Sequence, residues 1–238
     1  MPLASRARTI ADMADSPFDD PPHVEKYADR VTQMVPAYRV IHQLTAVLID
    51  ERAPADADIL VLGAGGGLET KAFADTHPGW TFDAVDPAAA MLELATRTLG
   101  PRMSRVRMHH GYIDDAPDGP FDAATSLLTL HFLPPDERHR TVAEVRRRLV
   151  PGAPFVAVHL SFPQRDDHER EMWIRRHVAN LVASGVDPTD ADQARRAIAV
   201  DVPALTPERD LEILEDAGFT DVTEFFSAFT IRGWVGYA

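Results

Sequence analysis

The stretch Ile59-Leu60-Val61-Leu62-Gly63-Ala64-Gly65-Gly66-Gly67 decides the fold. Four consecutive large apolar residues are typical of a strand that is buried on both faces, as in a parallel sheet. The glycines that follow permit a tight turn and let a ligand approach the backbone. Because residues 68–76 then have a helical pattern, the stretch predicts a strand, a glycine turn and a helix.

The alternation of strands and helices continues along the chain. Further strands are predicted over residues 80–85, 103–110, 121–128 and 155–160. Further helices are predicted over residues 88–99, 135–149 and, from Pro207, up to 217. Such alternation produces right-handed crossovers and a doubly wound, mostly parallel sheet. The apolar stretches 219–226 and 229–237 can pair as a final antiparallel hairpin.

Length and composition favour one domain over two. A chain of 238 residues suits a single domain, which we place at residues 23–238, behind a polar, flexible arm over residues 1–22. Two helices separated by Pro36 precede the first strand, and residues 162–203 form a mainly helical insertion that we expect over the active site. With 45% apolar and 26% charged residues, the chain is expected to bury an ordinary core.

Charge and residue usage exclude several classes of function. The chain has no cysteine, which excludes disulfides, thiolate metal sites and cysteine nucleophiles. Its formal net charge of −13 opposes binding to nucleic acid. No apolar run approaches the length of a membrane span, and no leader sequence is recognisable. We therefore expect a soluble cytoplasmic protein without a nucleic-acid or membrane partner.

Two common phosphate-binding motifs do not match the glycine turn. The dinucleotide fingerprint needs a third glycine where this chain has Leu68, and the phosphate-binding loop needs a glycine before Lys71 and a hydroxyl after it. Asp86 follows the second strand, about twenty residues beyond the turn, at the interval where a carboxylate meets ribose hydroxyls. The alternative is that Asp86 only caps the next helix, and both roles are compatible.

The order and spacing of these motifs resemble those of the class I S-adenosylmethionine-dependent methyltransferases. The resemblance extends over nearly all of residues 23–237 and implies a Rossmann-like, seven-stranded, mostly parallel sheet with an antiparallel last strand. It also implies S-adenosylmethionine as cofactor and S-adenosylhomocysteine as product. The segments that carry the resemblance are 59–67, Val85-Asp86-Pro87 with Met91-Leu92, Phe121-Asp122-Ala123, Leu130-His131-Phe132-Leu133, Leu149-Val150-Pro151-Gly152 and Ala217-Gly218-Phe219.

Within this class the chain looks most like the carboxy-S-adenosylmethionine synthase branch and its small-molecule methyltransferase relatives. The segments Val35-Pro36-Ala37-Tyr38 and Thr129-Leu130-His131-Phe132-Leu133, with Glu137-Arg138, carry this likeness. The resemblance implies that Tyr38 closes over the cofactor and that the branch's homodimer is shared. The cofactor-binding residues implied are Gly63, Ala64, Gly65 and Gly67 for the methionine portion, Asp86 and Pro87 for the ribose, Tyr112 and Ile113 for the adenine, and Met91 and Leu127 beside them.

Several positions depart from the family pattern. Val61 replaces the acid usual in the first motif, and Tyr112 replaces an aspartate often found beside the adenine. In the synthase branch an asparagine is expected where this chain has Leu127, and an arginine for the additional carboxylate has no counterpart. These departures favour ordinary O-, N- or C-methylation of a small-molecule acceptor over carboxy-cofactor synthesis. A cofactor-binding protein without catalysis is the remaining alternative.

Two histidines are candidates for the base that removes a proton from the acceptor. Histidine titrates near neutral pH, and His131 and His159 end the fourth and fifth strands, where they would face the cleft. The alternative for each is a packed or capping histidine. No histidines have a metal-ligand spacing, so no metal is expected. Tyr27, Tyr38, Phe162 and Trp173 are candidates for an aromatic roof over the pocket.

Overall fold

A seven-stranded sheet carries the glycine turn in the computed structural model, which describes Phe18, Asp20 and residues 24–238. The strands are β1 (Asp58–Leu62), β2 (Thr81–Asp86), β3 (Val106–His110), β4 (Ala123–Leu127), β5 (Pro154–Leu160), β6 (Thr220–Ala228) and β7 (Ile231–Tyr237). The α-helices are α1 (Tyr27–Met34), α2 (Tyr38–Asp50), α3 (Leu68–Thr76), α4 (Ala89–Leu99), α5 (Pro135–Arg147), α6 (Asp167–Ala183), α7 (Pro188–Val200) and α8 (Pro207–Asp216).

The strand order is β3-β2-β1-β4-β5-β7-β6. Strands β1 to β5 run parallel, and β7 runs antiparallel to both β5 and β6. The doubly wound sheet with an antiparallel last strand is therefore confirmed. The order reverses between β1 and β4, and in open α/β sheets a crevice forms outside the carboxyl ends of the strands at such a point.

Both faces of the sheet are covered, because successive side chains of β1 point to opposite sides. Ile59 and Val61 belong to the core that also contains Ile41 of α2 and Phe73 of α3. Leu60 belongs to the second core, with α5 and α8. Burial on both faces explains why β1 has an uninterrupted apolar sequence rather than an alternating one.

The predicted strand at 103–110 begins later than expected. Residues Gly100–Arg105 form a 3-10 helix, and β3 starts at Val106. The Arg105 guanidinium stabilises this segment by donating to the carbonyls of Ala74, His77 and Trp80 at 2.7 to 3.0 Å. The apolar pattern alone does not reveal these three hydrogen bonds.

The insertion at 162–203 contains α6 and α7, which pack against each other, and α6 also contacts α1. The predicted arm at 1–22 lies mostly outside the described residues, apart from Phe18 and Asp20. In the described part of the chain, no helix combines the length and apolar character that a membrane span requires.

Candidate functional site

The glycine turn is fixed by hydrogen bonds to β2. The amides of Gly63 and Ala64 both donate to the carbonyl of Val85, at 2.8 and 3.0 Å. Gly63 has φ +77°, a conformation that side chains strongly disfavour, and a Cβ built there would overlap the side chain of Thr129. Glycine at position 63 is therefore required both by the backbone conformation and by the close approach of Thr129.

Asp86 joins the turn to helix α4. One carboxylate oxygen accepts from the amide of Gly65 at 2.8 Å, and the other accepts from the amide of Ala88 at 2.9 Å. The side chain is largely buried, and it lines the same pocket as the turn. A carboxylate has several lone pairs, so one such group can accept from more than two donors.

A pocket opens above the carboxyl ends of β1, β2 and β4. Its wall combines the glycine turn, the start of α4, the segment after β3 and the segment from the end of β4 into α5. The residues that line it are Phe18, Tyr27, Leu62, Gly63, Gly65, Asp86, Pro87, Ala88, Met91, Gly111, Tyr112, Ile113, Leu127, Leu128, Thr129, Phe132, Leu133, Arg140 and Thr141.

Most of the cofactor residues named from the sequence lie around this pocket. Those that line it are Gly63, Gly65, Asp86, Pro87, Met91, Tyr112, Ile113 and Leu127. Ala64 and Gly67 belong to the turn but do not line the pocket. Tyr38 is 9% exposed and packs edge-on against His42, whereas Tyr27 lines the pocket. The aromatic side chain from the leading helices is thus Tyr27 rather than Tyr38.

Three aromatic side chains close one side of the pocket. Phe18 packs edge-on against Tyr27 and Phe132, with ring centroids 6.5 and 5.7 Å apart. The Tyr27 hydroxyl lies close to the glycine turn, since a Cβ built on Gly65 would be 3.3 Å from it. Tyr27 is one of the roof candidates that the sequence predicts, whereas Phe18 lies in a polar segment without periodicity and is not predicted.

His131 lies behind the pocket wall. Its ring is 5% exposed, and Nδ1 accepts from the amide of Leu160 at 3.4 Å. Burial lowers the pKa of His131 well below its usual value, and the nearby His159 and Arg138 add to this effect. The neutral ring that accepts at Nδ1 carries its proton on Nε2, so neither nitrogen has a free lone pair to act as a base.

His159 lies in a buried polar cluster with Arg138 and Asp210. Its Nε2 is 3.2 Å from an Asp210 oxygen, which is also 2.5 Å from the Arg138 guanidinium. Although burial alone would raise the pKa of Asp210, the nearby His159 and Arg138 lower it. Neither His131 nor His159 is among the described residues that line the pocket. The base role of both histidines stays a prediction, and their placement supports it less than the sequence did.

The described side chains of the insertion do not line the pocket, whereas the segment after β4 does. Leu128 has φ +61°, in a region that favours glycine, and its amide donates to Val158 across the sheet. This bend directs Thr129 toward the turn and Phe132 and Leu133 toward the pocket. Among the described residues, no group of three or more histidines and carboxylates could hold a metal ion.

Comparisons with known proteins agree with this geometry. A family model described as a methyltransferase domain matches residues 59–152, which include β1 from Ile59 onward, the turn, Asp86 and β4. Over these residues the chain is similar to the methyltransferase-domain family. A carboxy-S-adenosyl-L-methionine synthase from Pseudomonas fluorescens (strain Pf0-1) is 28% identical over 238 residues, covering 96% of this chain and 95% of the relative.

Solved structures show that this chain shares its fold with proteins of low sequence identity. An O-methyltransferase family protein from Burkholderia thailandensis has a TM-score of 0.62 at 17% identity, covering 94% of this chain and 62% of that protein. PigF, solved with SAH, has a TM-score of 0.56 at 19% identity, covering 76% of this chain and 50% of PigF. S-adenosylhomocysteine, the SAH of the PigF structure, is of the nucleotide type that the turn and Asp86 predict.

Proposed function

We propose that this enzyme transfers the methyl group of S-adenosylmethionine to a small organic acceptor. The observation that carries the proposal is that the residues suited to the cofactor and an apolar surface line the same pocket. The glycine turn and Asp86 form one part of its lining, and the apolar side chains of Phe18, Phe132 and Leu133 form another part. A cofactor at the turn and Asp86 therefore directs its reactive end toward a space that suits an apolar or aromatic acceptor.

The cofactor residues are assigned from their positions. Gly63 and Gly65 form the part of the wall that lacks side chains, which suits the methionine portion. Asp86 is the carboxylate in reach of the ribose, and Tyr112 and Ile113, after β3, suit the adenine. Ile113 is 1% exposed and presents an apolar surface, as expected for a wall against an adenine ring.

The reaction needs alignment more than it needs a base. Bound S-adenosylmethionine would supply an activated methyl carbon, and its C–S bond would break as the bond to the acceptor forms, with the electron pair left on the sulfur of S-adenosylhomocysteine. An acceptor O–H or N–H would release its proton to water or a base. Phe132 and Leu133 orient the acceptor. His131 supports this wall because its ring packs against that of Phe132, with the ring centroids 4.2 Å apart.

Carboxy-cofactor synthesis is the second candidate, and the full-length similarity to synthases at 25 to 28% identity favours it. That reaction adds a carboxylate, which needs a cation in the pocket. Among the described pocket-lining residues Arg140 supplies the one guanidinium, and it already pairs with Asp114 at 3.0 Å and Glu137 at 3.2 Å. Methyl transfer therefore fits the pocket better.

Calorimetry and product analysis test the proposal. The purified protein should bind S-adenosylmethionine and S-adenosylhomocysteine, and it should transfer deuterated methyl from the cofactor to at least one member of a panel of phenols, amines and carboxylic acids. Mass spectrometry separates the candidates, since a carboxylated cofactor in place of a methylated acceptor identifies the synthase reaction. Absence of binding by both nucleotides would refute both candidates.

A further inference from the structure

Arg138 is a buried cation behind the part of the pocket that Phe132 and Leu133 line. It lies on α5, its side chain is 1% exposed, and its guanidinium is 2.5 Å from a carboxylate oxygen of Asp210 on α8, which is equally buried. Removing both charges from water costs free energy that their attraction repays only in part, so apolar side chains of similar volume often stabilise a fold equally well. The pair therefore needs an explanation other than stability.

Part of this ion pair is left without hydrogen bonds. Nε of Arg138 and Oδ2 of Asp210 are buried, and neither has a hydrogen-bond partner among the residues that the structure describes. An unpaired buried donor or acceptor costs free energy, so the pair is not arranged for the greatest stability. It does give a fixed position to the remaining donors of the guanidinium, which is planar and rigid.

One of these donors joins the pocket wall to the end of the insertion. Nη2 of Arg138 donates to the Pro203 carbonyl at 2.8 Å and to the Leu133 carbonyl at 3.2 Å. Leu133 lines the pocket, whereas the described side chains of the insertion at 162–203 do not. Because Pro203 is the last residue of that insertion, Arg138 connects the insertion to the pocket through one shared nitrogen.

The segment between β4 and α5 is held on both sides of its pocket-lining residues. Near its start, the Leu128 amide donates to the Val158 carbonyl at 2.5 Å. Near its end, the Leu133 carbonyl accepts from Arg138. Between these two anchors, Leu130–Phe132 form a turn of 3-10 helix. The place of this turn in the pocket therefore depends on where Arg138 lies.

On the basis of the proposed function, we propose that Arg138 is a positioning residue for the acceptor. Held by Asp210, it keeps the carbonyls of Leu133 and Pro203 at one guanidinium nitrogen and so sets how far Phe132 and Leu133 project into the pocket. A shift of the insertion at Pro203 passes to Leu133 through the same group. The insertion thereby influences which acceptors fit, although none of its described side chains lines the pocket.

The first test removes both charges together. Arg138→Met with Asp210→Val leaves neither charge buried alone, so we expect the midpoint of urea unfolding to stay at or above that of the wild type. In the same unliganded variant, the amides of Phe132 and Leu133, which close the 3-10 turn, should exchange with deuterated water about tenfold faster or more. The amides of β4 should keep their wild-type exchange rates.

The matched control makes the same changes in an exposed ion pair that involves α5. Arg147→Met with Asp118→Val removes a pair whose guanidinium and carboxylate are 3.0 Å apart and whose side chains are 49% and 86% exposed. Exposed pairs contribute little to stability, and neither residue lines the pocket. This variant should match the wild type in its urea midpoint and in exchange at Phe132 and Leu133.

Arg138→Lys distinguishes the ion pair from the bonds to the two carbonyls. Lysine keeps a positive charge beside Asp210, but its compact ammonium cannot replace a planar guanidinium at three acceptors. If only the ion pair matters, this variant should behave as the wild type. If Arg138 positions the wall, exchange at Phe132 and Leu133 should rise as in the double variant. With an acceptor that the panel identifies, KM should also rise about tenfold, while affinity for S-adenosylhomocysteine stays within about twofold.

The outcomes separate this inference from the proposed function. If the wild type neither binds S-adenosylmethionine nor methylates an acceptor, the proposed function falls, and the exchange rates still decide whether Arg138 holds the wall. Wild-type exchange at Phe132 and Leu133 in both Arg138 variants would overturn the inference. A double variant that unfolds at clearly lower urea would also overturn it, since the pair would then stabilise the fold. So would an unchanged acceptor KM in a variant with faster exchange.

Discussion

Gly63 and Thr129 approach so closely that position 63 has no room for a side chain. Gly63 begins the turn after β1, and Thr129 follows the bend at Leu128, so this contact joins the cofactor side of the pocket to the acceptor side. A methyl group at position 63 would force the two segments apart. The shape of the site therefore depends on a contact between two strands that are adjacent in the sheet but distant in sequence.

Gly63→Ala should abolish cofactor binding. The methyl group collides with Thr129 and must also adopt φ +77°, so the turn has to move. We expect at least a 100-fold loss of affinity for S-adenosylhomocysteine by calorimetry, equivalent to about 2.7 kcal/mol. Gly152→Ala is the matched control, because Gly152 has φ +80° with no atom within 4 Å of an added Cβ. It should lose about 1 kcal/mol of stability and bind normally. Normal binding by Gly63→Ala would show that the turn does not hold the cofactor.

Asp86→Asn should impair ribose recognition. The amide can accept at one oxygen only, and its NH₂ group would face the amide of Gly65 or Ala88. We expect adenosine to bind about tenfold more weakly, with little change for 2′,3′-dideoxyadenosine, as measured by competition against S-adenosylhomocysteine. Equal losses for the two nucleosides would mean that Asp86 acts only by shaping the turn.

Two substitutions at His131 distinguish a role as general base from a role in supporting the pocket wall. Asparagine can keep an acceptor near the position of Nδ1 for the Leu160 amide, whereas alanine cannot. If His131 supports the wall, His131→Asn should keep turnover within about threefold and His131→Ala should lower it about tenfold or more, with cofactor affinity unchanged in both. If His131 is the general base, both variants should instead lose comparable activity, since neither asparagine nor alanine accepts a proton.

The unliganded protein should lose stability as pH rises because of Glu69. Its pKa is about 8 in the folded state and near 4.5 when unfolded, so the folded state holds the extra proton between these values. The free energy of unfolding should therefore fall between about pH 5 and pH 8, by on the order of 3 kcal/mol. Urea titrations should show this loss in the wild type and in Glu93→Gln, the control change at an exposed position of α4, and a much smaller loss in Glu69→Gln. Parallel curves for all three proteins would contradict the assigned pKa.

The cofactor half of the site could be predicted because its signals are local in the sequence. The glycine turn and Asp86 each follow directly from a strand end, and a parallel sheet brings such ends to one edge. The aromatic wall is less predictable from the sequence than the cofactor half. Whether Tyr27 or Tyr38 faces the pocket depends on how α1 and α2 pack on either side of Pro36, and periodicity does not determine that angle.

The surroundings of the two histidines and of Glu69 could not be predicted without the tertiary structure. His159 shares its face of β5 with Phe155 and Ala157, so the alternation of that strand directs it to the α8 side, where Asp210 lies. Glu69 in a first helical turn looks like an ordinary exposed acid that favours the helix dipole. Its burial follows only once Thr125 is placed beside Val61, across a crossover of more than fifty residues.

The hydrogen bonds from the turn to Val85 and Asp86 have a thermodynamic consequence. Three successive amides, from Gly63 to Gly65, are tied to neighbouring backbone and side-chain acceptors. The loop is consequently rigid in the empty enzyme, and capture of the nucleotide requires little loss of backbone entropy there. In deuterated water we expect these three protons to exchange slowly even without ligand, at rates similar to those of the hydrogen-bonded amides in the adjoining strands.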